Sequence, residues 1–188
     1  MKKKLLILGA GGHGKCCLDI AREMNCYDVI CFLDDNAVGS VVNGAEVIDH
    51  ISNLEKYYGK FQSVFPAIGN NVIRKELMTR AKNLGYEIPL LVSNKSYVSE
   101  YAHVGEGTVM FPCSVIESNA SVGSGCIITA NTTISHDAVV CDFSLIYSNS
   151  AVRANATVGM LSRIGSGCVI RFGMTVEAGS DILDGTIV

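Results

Sequence analysis

The sequence predicts an α/β + β protein, with a small N-terminal α/β domain over residues 1–95 and a parallel β-helix over residues 96–188. Two observations predict this division. The second half carries an aliphatic residue at every sixth position, and the first half alternates short apolar segments with helical patterns after a glycine-rich turn. Strands that alternate with helices favour a mainly parallel sheet.

The elements of the first domain follow from its apolar segments. Four short segments predict strands, at residues 4–8, 29–33, 64–68 and 88–92. Two longer patterns predict helices, at about 15–24 and 72–84. Gly85 directly follows the second helical pattern and is a typical stop signal.

The second half is a six-residue repeat. Every sixth residue from Val98 to Val188 is Val, Ile or Met, and the position four residues later is nearly always small. This period fits neither an amphipathic helix nor an ordinary strand, but it fits a hexapeptide β-helix in which each repeat forms one short strand and a corner. Three sides close one coil, so we expect about eighteen residues per turn and about five coils.

A glycine motif lies between the first predicted strand and helix. Gly9, Gly11 and Gly14 satisfy G-x-G-x-x-G, and Asp34-Asp35 end the second predicted strand, as in a Rossmann-like nucleotide-binding domain. The glycines let the backbone approach a phosphate, and the helix N-terminus supplies N–H groups. Any nucleotide diphosphate suits this chemistry, so an NAD-binding protein is one interpretation, although fewer than about 100 residues give only half of a two-lobed NAD domain.

Composition excludes several classes of protein. The 188 residues are 48% hydrophobic and 18% charged, which predicts a packed core. The net charge of −3 disfavours a nucleic-acid partner. No apolar stretch approaches the ~20 residues of a membrane span, and the apolar run Leu5–Leu8 is too short for a secretory signal, so we expect a cytoplasmic protein. The eight cysteines form no C-x-x-C, which argues against a metal site.

His136 stands out among aliphatic and small residues. Ile134 and Ala138 are the neighbouring inward positions of the repeat, and a thin core offers an imidazole neither space nor partners. We therefore expect His136 to point outward at a corner of the prism. Histidine titrates near neutral pH and serves as a general base. Adjacent residues of a strand face opposite ways, so the carboxylate of Asp137 can reach the imidazole only if the corner turns it back.

These motifs together resemble one family, the bacterial sugar acetyltransferases of the NeuD and PglD type. That family includes sialic-acid O-acetyltransferases and UDP-4-amino-sugar N-acetyltransferases. The motifs that carry the resemblance occur in the family's order, at Gly11–Gly14, Phe32–Asp35, Ala67–Lys75 and Ser135–Asp137. The resemblance covers almost the whole chain. It implies a left-handed β-helix, a homotrimer, and acetyl-CoA bound in grooves between neighbouring prisms.

The resemblance also implies roles for individual residues. It makes His136 and Asp137 the catalytic pair, with Asp142 as the second candidate partner of the imidazole. The residues that it places near the sugar nucleotide are Gly11, Gly12, His13, Asp34, Asp35, Asn70, Asn71 and Arg74. The residues assigned to acetyl-CoA are Arg153, Ala154, Gly159 and Arg163, with the N–H of Ala154 facing the thioester oxygen.

Three functions are consistent with these motifs. N-acetylation of a nucleotide-linked (UDP-) 4-amino sugar is the first, and O-acetylation of a sialic or nonulosonic acid is its variant. A non-catalytic trimeric binding or scaffold protein with a degenerate CoA site is the second. Leu145 favours it, because the family often has a histidine there, and so does the missing coil and tail that relatives usually carry beyond position 188. The third is the NAD-binding protein.

Overall fold

The computed structural model describes residues 3–188, and the chain divides into two compact units at Leu91/Val92. The first unit contains a five-stranded sheet in the order β3-β4-β2-β1-β5, with all neighbours parallel except the β3–β4 hairpin. Its elements are β1 Lys3–Leu8, α1 Gly12–Glu23, β2 Tyr27–Leu33, β3 Val41–Val42, β4 Ala45–Asp49, a 3₁₀-helical segment Ile51–Tyr57, β5 Ser63–Pro66 and α2 Asn71–Asn83.

Strand β1 is the centre of this sheet. Its last four residues, Leu5 to Leu8, are completely buried, as expected for a parallel strand covered on both faces. Leu8 pairs with Leu33 of β2, and the Gly9 N–H donates to the Leu33 carbonyl at 2.8 Å. This register brings the glycine turn and the acidic end of β2 to the same edge of the sheet.

The predicted strand at 88–92 is confirmed only at its last two residues, Leu91–Val92, and is wrong for residues 88–90. Only Glu87 forms an isolated bridge with Ser63, and Pro89 has no N–H to donate to a ladder. The strand at this point is β6, Leu91–Val92, which is an end strand of a sheet otherwise formed by the second unit. A short apolar segment has the same sequence pattern whichever sheet it belongs to. Its backbone hydrogen-bond partners decide which sheet it joins.

The hairpin β3–β4 was not predicted from the sequence, although a local signal for it exists. Asn43 and Gly44 connect the two strands and both have positive φ, 47° and 76°. An Asn-Gly pair between short strands is typical of a tight hairpin turn.

The second unit is a parallel β-helix with three faces, each a parallel sheet of two-residue strands. The strands of one face are β7 Tyr97–Val98, β10 Val115–Ile116, β13 Thr133–Ile134, β16 Ala151–Val152 and β19 Val169–Ile170. Those of the next are β8 His103–Val104, β11 Ser121–Val122, β14 Val139–Val140, β17 Thr157–Val158 and β20 Thr175–Val176. Those of the third, besides β6, are β9 Val109–Met110, β12 Ile127–Ile128, β15 Leu145–Ile146, β18 Arg163–Ile164 and β21 Asp181–Ile182.

The strand register confirms the length of one coil. Thr133 pairs with Ala151 and Ile134 with Val152, so each residue lies beside the one eighteen positions later. The repeated aliphatic positions from Met110 to Val176 form one continuous buried core. The small residues of the repeat complete it, because Ala138 and Ala156, for example, are fully buried beside the larger side chains.

From residue 107 onward, each corner of the prism contains a residue with positive φ. At the corners that follow β10, β13, β16 and β19, these residues are Asn119 (58°), Asp137 (61°), Asn155 (57°) and Gly173 (67°). Glycine, Asn and Asp tolerate this left-handed conformation best. Across residues 3–188, no helix combines the length and apolarity that crossing a membrane would require.

Candidate active site

The four glycines of the first turn have two different structural roles. A Cβ on Gly9 would lie 2.7 Å from the Ile68 side chain, and one on Gly14 would lie 1.9 Å from the Gly9 carbonyl oxygen. A Cβ on Gly11 or Gly12 would meet no neighbouring atom within 4 Å, and both residues are exposed. Gly9 and Gly14 therefore allow the turn to pack, whereas Gly11 and Gly12 leave open space at the N-terminus of α1, where N–H groups attract an anion.

The two aspartates at the end of β2 also differ. Both carboxylate oxygens of Asp34 accept backbone N–H groups, from Ala10 at 2.8 Å and from Asn36 at 2.9 Å. Asp35 accepts the Ile51 N–H through Oδ1 at 3.0 Å, and His50 Nδ1 lies 3.7 Å from the same oxygen. Within residues 3–188, Asp35 Oδ2 has no hydrogen-bond partner, so Asp35 can accept a ligand N–H or O–H while Asp34 holds the turn.

His13 lies in the first turn of α1 and is half-buried. Burial, together with the nearby positive charge of Arg74, lowers the pKa of His13 to about 4. The imidazole is therefore neutral near pH 7 and can donate a single hydrogen bond. Its Nε2 lies 3.6 Å from Cys17 Sγ, one helical turn later, and burial raises the pKa of that thiol.

The predicted site residues at the start of α2 hydrogen-bond to the helix itself and to the loop that precedes it. Asn70 caps the helix, with Oδ1 accepting the N–H groups of Val72 at 3.0 Å and Ile73 at 3.1 Å. Arg74 is completely buried and donates to the carbonyls of Ile68 and Gly69 at 3.0 and 3.1 Å. It also donates to Asn71 Oδ1 at 2.8 Å. Arg74 thus fixes the loop and acts on His13 through its charge.

In the second unit, His136 and Asp137 occupy the corner after β13. Asp137 has φ +61°, and this conformation turns its carboxylate back towards the preceding residue. His136 Nδ1 lies 2.8 Å from Asp137 Oδ2, and both side chains are about half exposed. The hydrogen bond with His136, and a second with Asn119, hold the pKa of Asp137 below its usual range. The geometric condition on Asp137 is therefore met.

This pairing sets the tautomer of the imidazole. A carboxylate can only accept, so Nδ1 carries the proton and Nε2 carries the lone pair. No other group within residues 3–188 forms a hydrogen bond with Nε2, which is therefore available to a substrate. Asp142, the second candidate partner, lies at a different corner, where Oδ1 accepts the Ser124 N–H at 2.8 Å.

Two further residues contact the His136–Asp137 pair, and the sequence analysis did not predict them. Glu117 Oε2 accepts the backbone N–H of His136 at 2.9 Å, and Asn119 hydrogen-bonds the Asp137 carboxylate. Both lie in the preceding coil. The eighteen-residue coil length contains the signal that finds them, because Asn119 and Asp137 are one coil apart.

The residues assigned to acetyl-CoA lie on several parts of the prism. Ala154 is one coil beyond His136, as the register of β13 and β16 requires, and Arg153 beside it is exposed. Gly159 allows the next coil to approach, since a Cβ there would lie 2.5 Å from the Ala178 nitrogen. Arg163, on β18, donates to Asp181 at 2.6 Å and lies 5.0 Å above the Tyr147 ring. The structure therefore brings Ala154 and Arg153 close to His136 but gives Gly159 and Arg163 protein partners.

Known proteins share both units. The family model of the PglD N-terminal domain matches residues 4–81. The acetyltransferase domain of PglB from Neisseria gonorrhoeae superposes on 100% of this chain and 91% of its own, with a TM-score of 0.96 and 32% sequence identity. This chain belongs to the NeuD/PglD-type family of sugar acetyltransferases. The same PglB domain in complex with acetyl coenzyme A gives a TM-score of 0.90 at 33% identity, covering 100% of this chain and 96% of that one.

A more distant relative agrees in fold. A mutant of perosamine N-acetyltransferase from Caulobacter crescentus, in complex with CoA and GDP-perosamine, has a TM-score of 0.93 at 22% identity, over 98% of this chain and 88% of that chain. An uncharacterized protein of Acanthamoeba polyphaga mimivirus is 30% identical over 101 residues, which are 54% of this chain and 20% of that protein. The chain thus spans about a fifth of the length of this curated relative.

The predicted fold, a small Rossmann-like α/β domain followed by a left-handed parallel β-helix, is confirmed by these family members. The prediction of an acetyl-CoA-dependent sugar acetyltransferase is confirmed at the level of the family. Among residues 3–188, no three His, Cys, Asp or Glu side chains are grouped so that they could hold a metal ion.

Proposed function

We propose that this protein transfers the acetyl group of acetyl-CoA to the amino group of a UDP-linked 4-amino sugar, with His136 as the general base. One observation carries the proposal: an exposed imidazole has its Nδ1 2.8 Å from an aspartate and its Nε2 open to a substrate. The family provides the reaction class, and the His136–Asp137 pair provides the group that this reaction needs.

The chemistry follows from this pair. As the sugar nitrogen attacks the thioester carbon, Nε2 of His136 takes the proton that the nitrogen loses. The tetrahedral intermediate then collapses, the C–S bond breaks, and the proton passes to the departing thiolate. Asp137 stabilises the imidazolium that exists between the two transfers. Such a base contributes a rate factor of about 10²–10⁴.

The backbone beside His136 suits the developing oxyanion. Ala154 lies one coil beyond it, and within residues 3–188 its N–H has no hydrogen-bond acceptor. An unpaired N–H close to the general base is the kind of donor that stabilises an oxyanion. Arg153, the adjacent exposed cation, suits the phosphates of acetyl-CoA.

The first unit suits the nucleotide. Gly11 and Gly12 leave the N-terminus of α1 open to a diphosphate, and His13 lies beside them in the first turn of the helix. The unpaired oxygen of Asp35 can accept an N–H of the base or an O–H of the ribose. Asp34, Asn70, Asn71 and Arg74 hold the loops that form this surface.

We also propose that the protein is a cytoplasmic homotrimer, as the family resemblance implies. The exposed corner at His136 leaves room for a neighbouring prism to complete the acetyl-CoA groove. Light scattering in solution tests this part, and a mass of three chains is the expected result. A monomer with full activity would show that one prism suffices.

The test of the reaction is thiol release from acetyl-CoA with UDP-4-amino sugars as acceptors. The GDP-perosamine bound by the Caulobacter protein makes a GDP-linked amino sugar the natural second acceptor, and free sialic acid tests O-acetylation. We expect turnover with the UDP-linked amino sugar, and a loss of about 10²-fold or more in kcat for His136→Ala.

Two variants control for indirect effects. His103→Ala removes another exposed histidine of the prism and should retain full activity. Asp137→Asn preserves the turn, since Asn occupies the equivalent position in the coils on either side, but removes the charge, and kcat should fall without a change in thermal stability. Equal activity of wild type and His136→Ala would refute the role of His136. No turnover of any acceptor would favour the scaffold alternative.

A further inference from the structure

The backbone N–H of His136 is hydrogen-bonded to a side chain of the adjacent coil. Residues 135–138 form a turn in which the Ala138 N–H donates to the Ser135 carbonyl at 3.1 Å, and Asp137, the third residue, has positive φ. The N–H of the second residue takes no part in the turn's own hydrogen bond and is free to donate to another acceptor. Here the second residue is His136, and its N–H donates to Glu117 Oε2 at 2.9 Å.

Glu117 is the side chain that distinguishes this coil from the next one. The residue equivalent to Glu117 one coil later is Ser135, and Ala154, the residue equivalent to His136, has an N–H without an acceptor within residues 3–188. The folded prism therefore tolerates an unpaired N–H at this corner. At the corner that carries the histidine, the preceding coil supplies a carboxylate acceptor.

We propose that Glu117 is a positioning residue for His136, and this inference rests on the proposed function of His136 as the base. Glu117 fixes the backbone from which the imidazole projects, and Asn119 fixes the carboxylate that holds Nδ1. The ring is thus held through its main chain and through its partner, both from the preceding coil. A base that must meet an attacking amine within hydrogen-bond distance depends on such restraint.

A purely structural role for Glu117 would affect stability rather than turnover. The chain offers a matched control, because Asp142 Oδ1 accepts the Ser124 N–H at 2.8 Å across adjacent coils at another corner. That corner carries no histidine. Asp142→Ala therefore removes the same kind of hydrogen bond from the prism without touching the catalytic pair.

The experiment compares Glu117→Ala, Glu117→Gln and Asp142→Ala by steady-state kinetics and thermal unfolding. We expect Glu117→Ala to lower kcat by on the order of tenfold, with the KM for acetyl-CoA unchanged. Glu117→Gln should restore most of kcat, since an amide oxygen accepts the same N–H. Asp142→Ala should lower the melting temperature about as much as Glu117→Ala but retain kcat.

A double variant separates this inference from the proposed function. In a His136→Ala background, Glu117→Ala should cause no further loss of kcat. The effects of two substitutions are not additive when both act through the same group. Wild-type kcat in Glu117→Ala, or an equal loss of kcat in Asp142→Ala, would overturn the positioning role while His136 remained the base. Full activity of His136→Ala would instead overturn the function on which the inference rests.

Discussion

At the scale of single residues, Asp137 meets a conformational and a chemical requirement at once. Its position needs a residue that tolerates positive φ, and the coils before and after use Asn119 and Asn155 there. Aspartate tolerates the same backbone and adds a charge, which then lies 2.8 Å from His136 Nδ1. This backbone conformation is shared from Asn119 to Gly173 along the column, whereas the negative charge is present only at Asp137.

The lowered pKa of His13 predicts how the stability of the folded protein depends on pH. Burial, and then the charge of Arg74, lower its pKa from 6.5 to about 4 in the folded protein. Below pH 6.5 the unfolded chain binds a proton that the folded chain does not bind, so stability decreases as the pH falls towards 4. Above pH 6.5 both states are neutral, and His13 contributes no pH dependence. The limiting slope is about 1.4 kcal/mol per pH unit.

Urea unfolding from neutral pH down to about pH 5, followed by the helical circular-dichroism signal, measures this slope. The signal reports the first unit, because α1 and α2 both lie there. His13→Gln should reduce the slope, and His103→Gln, a change in the prism, should leave it unaltered. An identical slope in wild type and His13→Gln would show that the burial of His13 does not govern acid stability.

At the scale of elements, helix α2 and the loop before it form one hydrogen-bonded assembly. Asn70 caps the first turn, while Arg74 reaches back from the helix to two loop carbonyls. The helix end thereby satisfies both its own N–H groups and the carbonyls of the chain that enters it. The same contacts place the Arg74 charge near His13, so the element sets an electrostatic property of the candidate nucleotide site.

Removing the cap should destabilise this element. Asn70→Ala leaves the N–H groups of Val72 and Ile73 without their side-chain acceptor, and we expect a loss of about 1 kcal/mol in the free energy of unfolding. Asn83→Ala, the same change at the exposed last residue of α2, is the matched control and should stay within about 0.5 kcal/mol of wild type. Equal effects of the two variants would show that the cap does not stabilise the helix.

At the scale of the whole molecule, the second unit is a stack in which each coil pairs only with the coils before and after it. Its core is a continuous column, so a residue in the middle is covered from both sides. Ile146 is fully buried, whereas Ile182, at the equivalent position two coils later, is only half-buried. Position along the stack therefore determines how much each aliphatic side chain contributes.

Truncation of these two residues tests the stacking argument. Ile146→Ala should cost about 2–5 kcal/mol because it leaves a cavity inside the column. Ile182→Ala should cost clearly less, since the residue already contacts solvent. Scanning calorimetry of both variants measures the difference. Equal losses would show that the end of the stack is as tightly packed as its middle.

The sequence alone was sufficient for the features that depend on local periodicity. The six-residue repeat predicts the parallel β-helix and its coil length, and the register of Thr133 with Ala151 confirms both. Inward and outward positions follow, because the repeat specifies which side chains form the core. The position of His136 outside this pattern predicts an exposed corner, which is where the structure has it.

Tertiary structure decided the features that depend on which remote groups pair. Asp34 and Asp35 are alike in sequence, but only the contacts show that one is fully hydrogen-bonded and the other has an open oxygen. Glu117 accepts the backbone N–H of His136 from the adjacent coil, and residues 88–90 do not form the predicted strand. The physical reason is that periodicity fixes the direction of a side chain, whereas its hydrogen-bond partner depends on how distant segments of the chain come together.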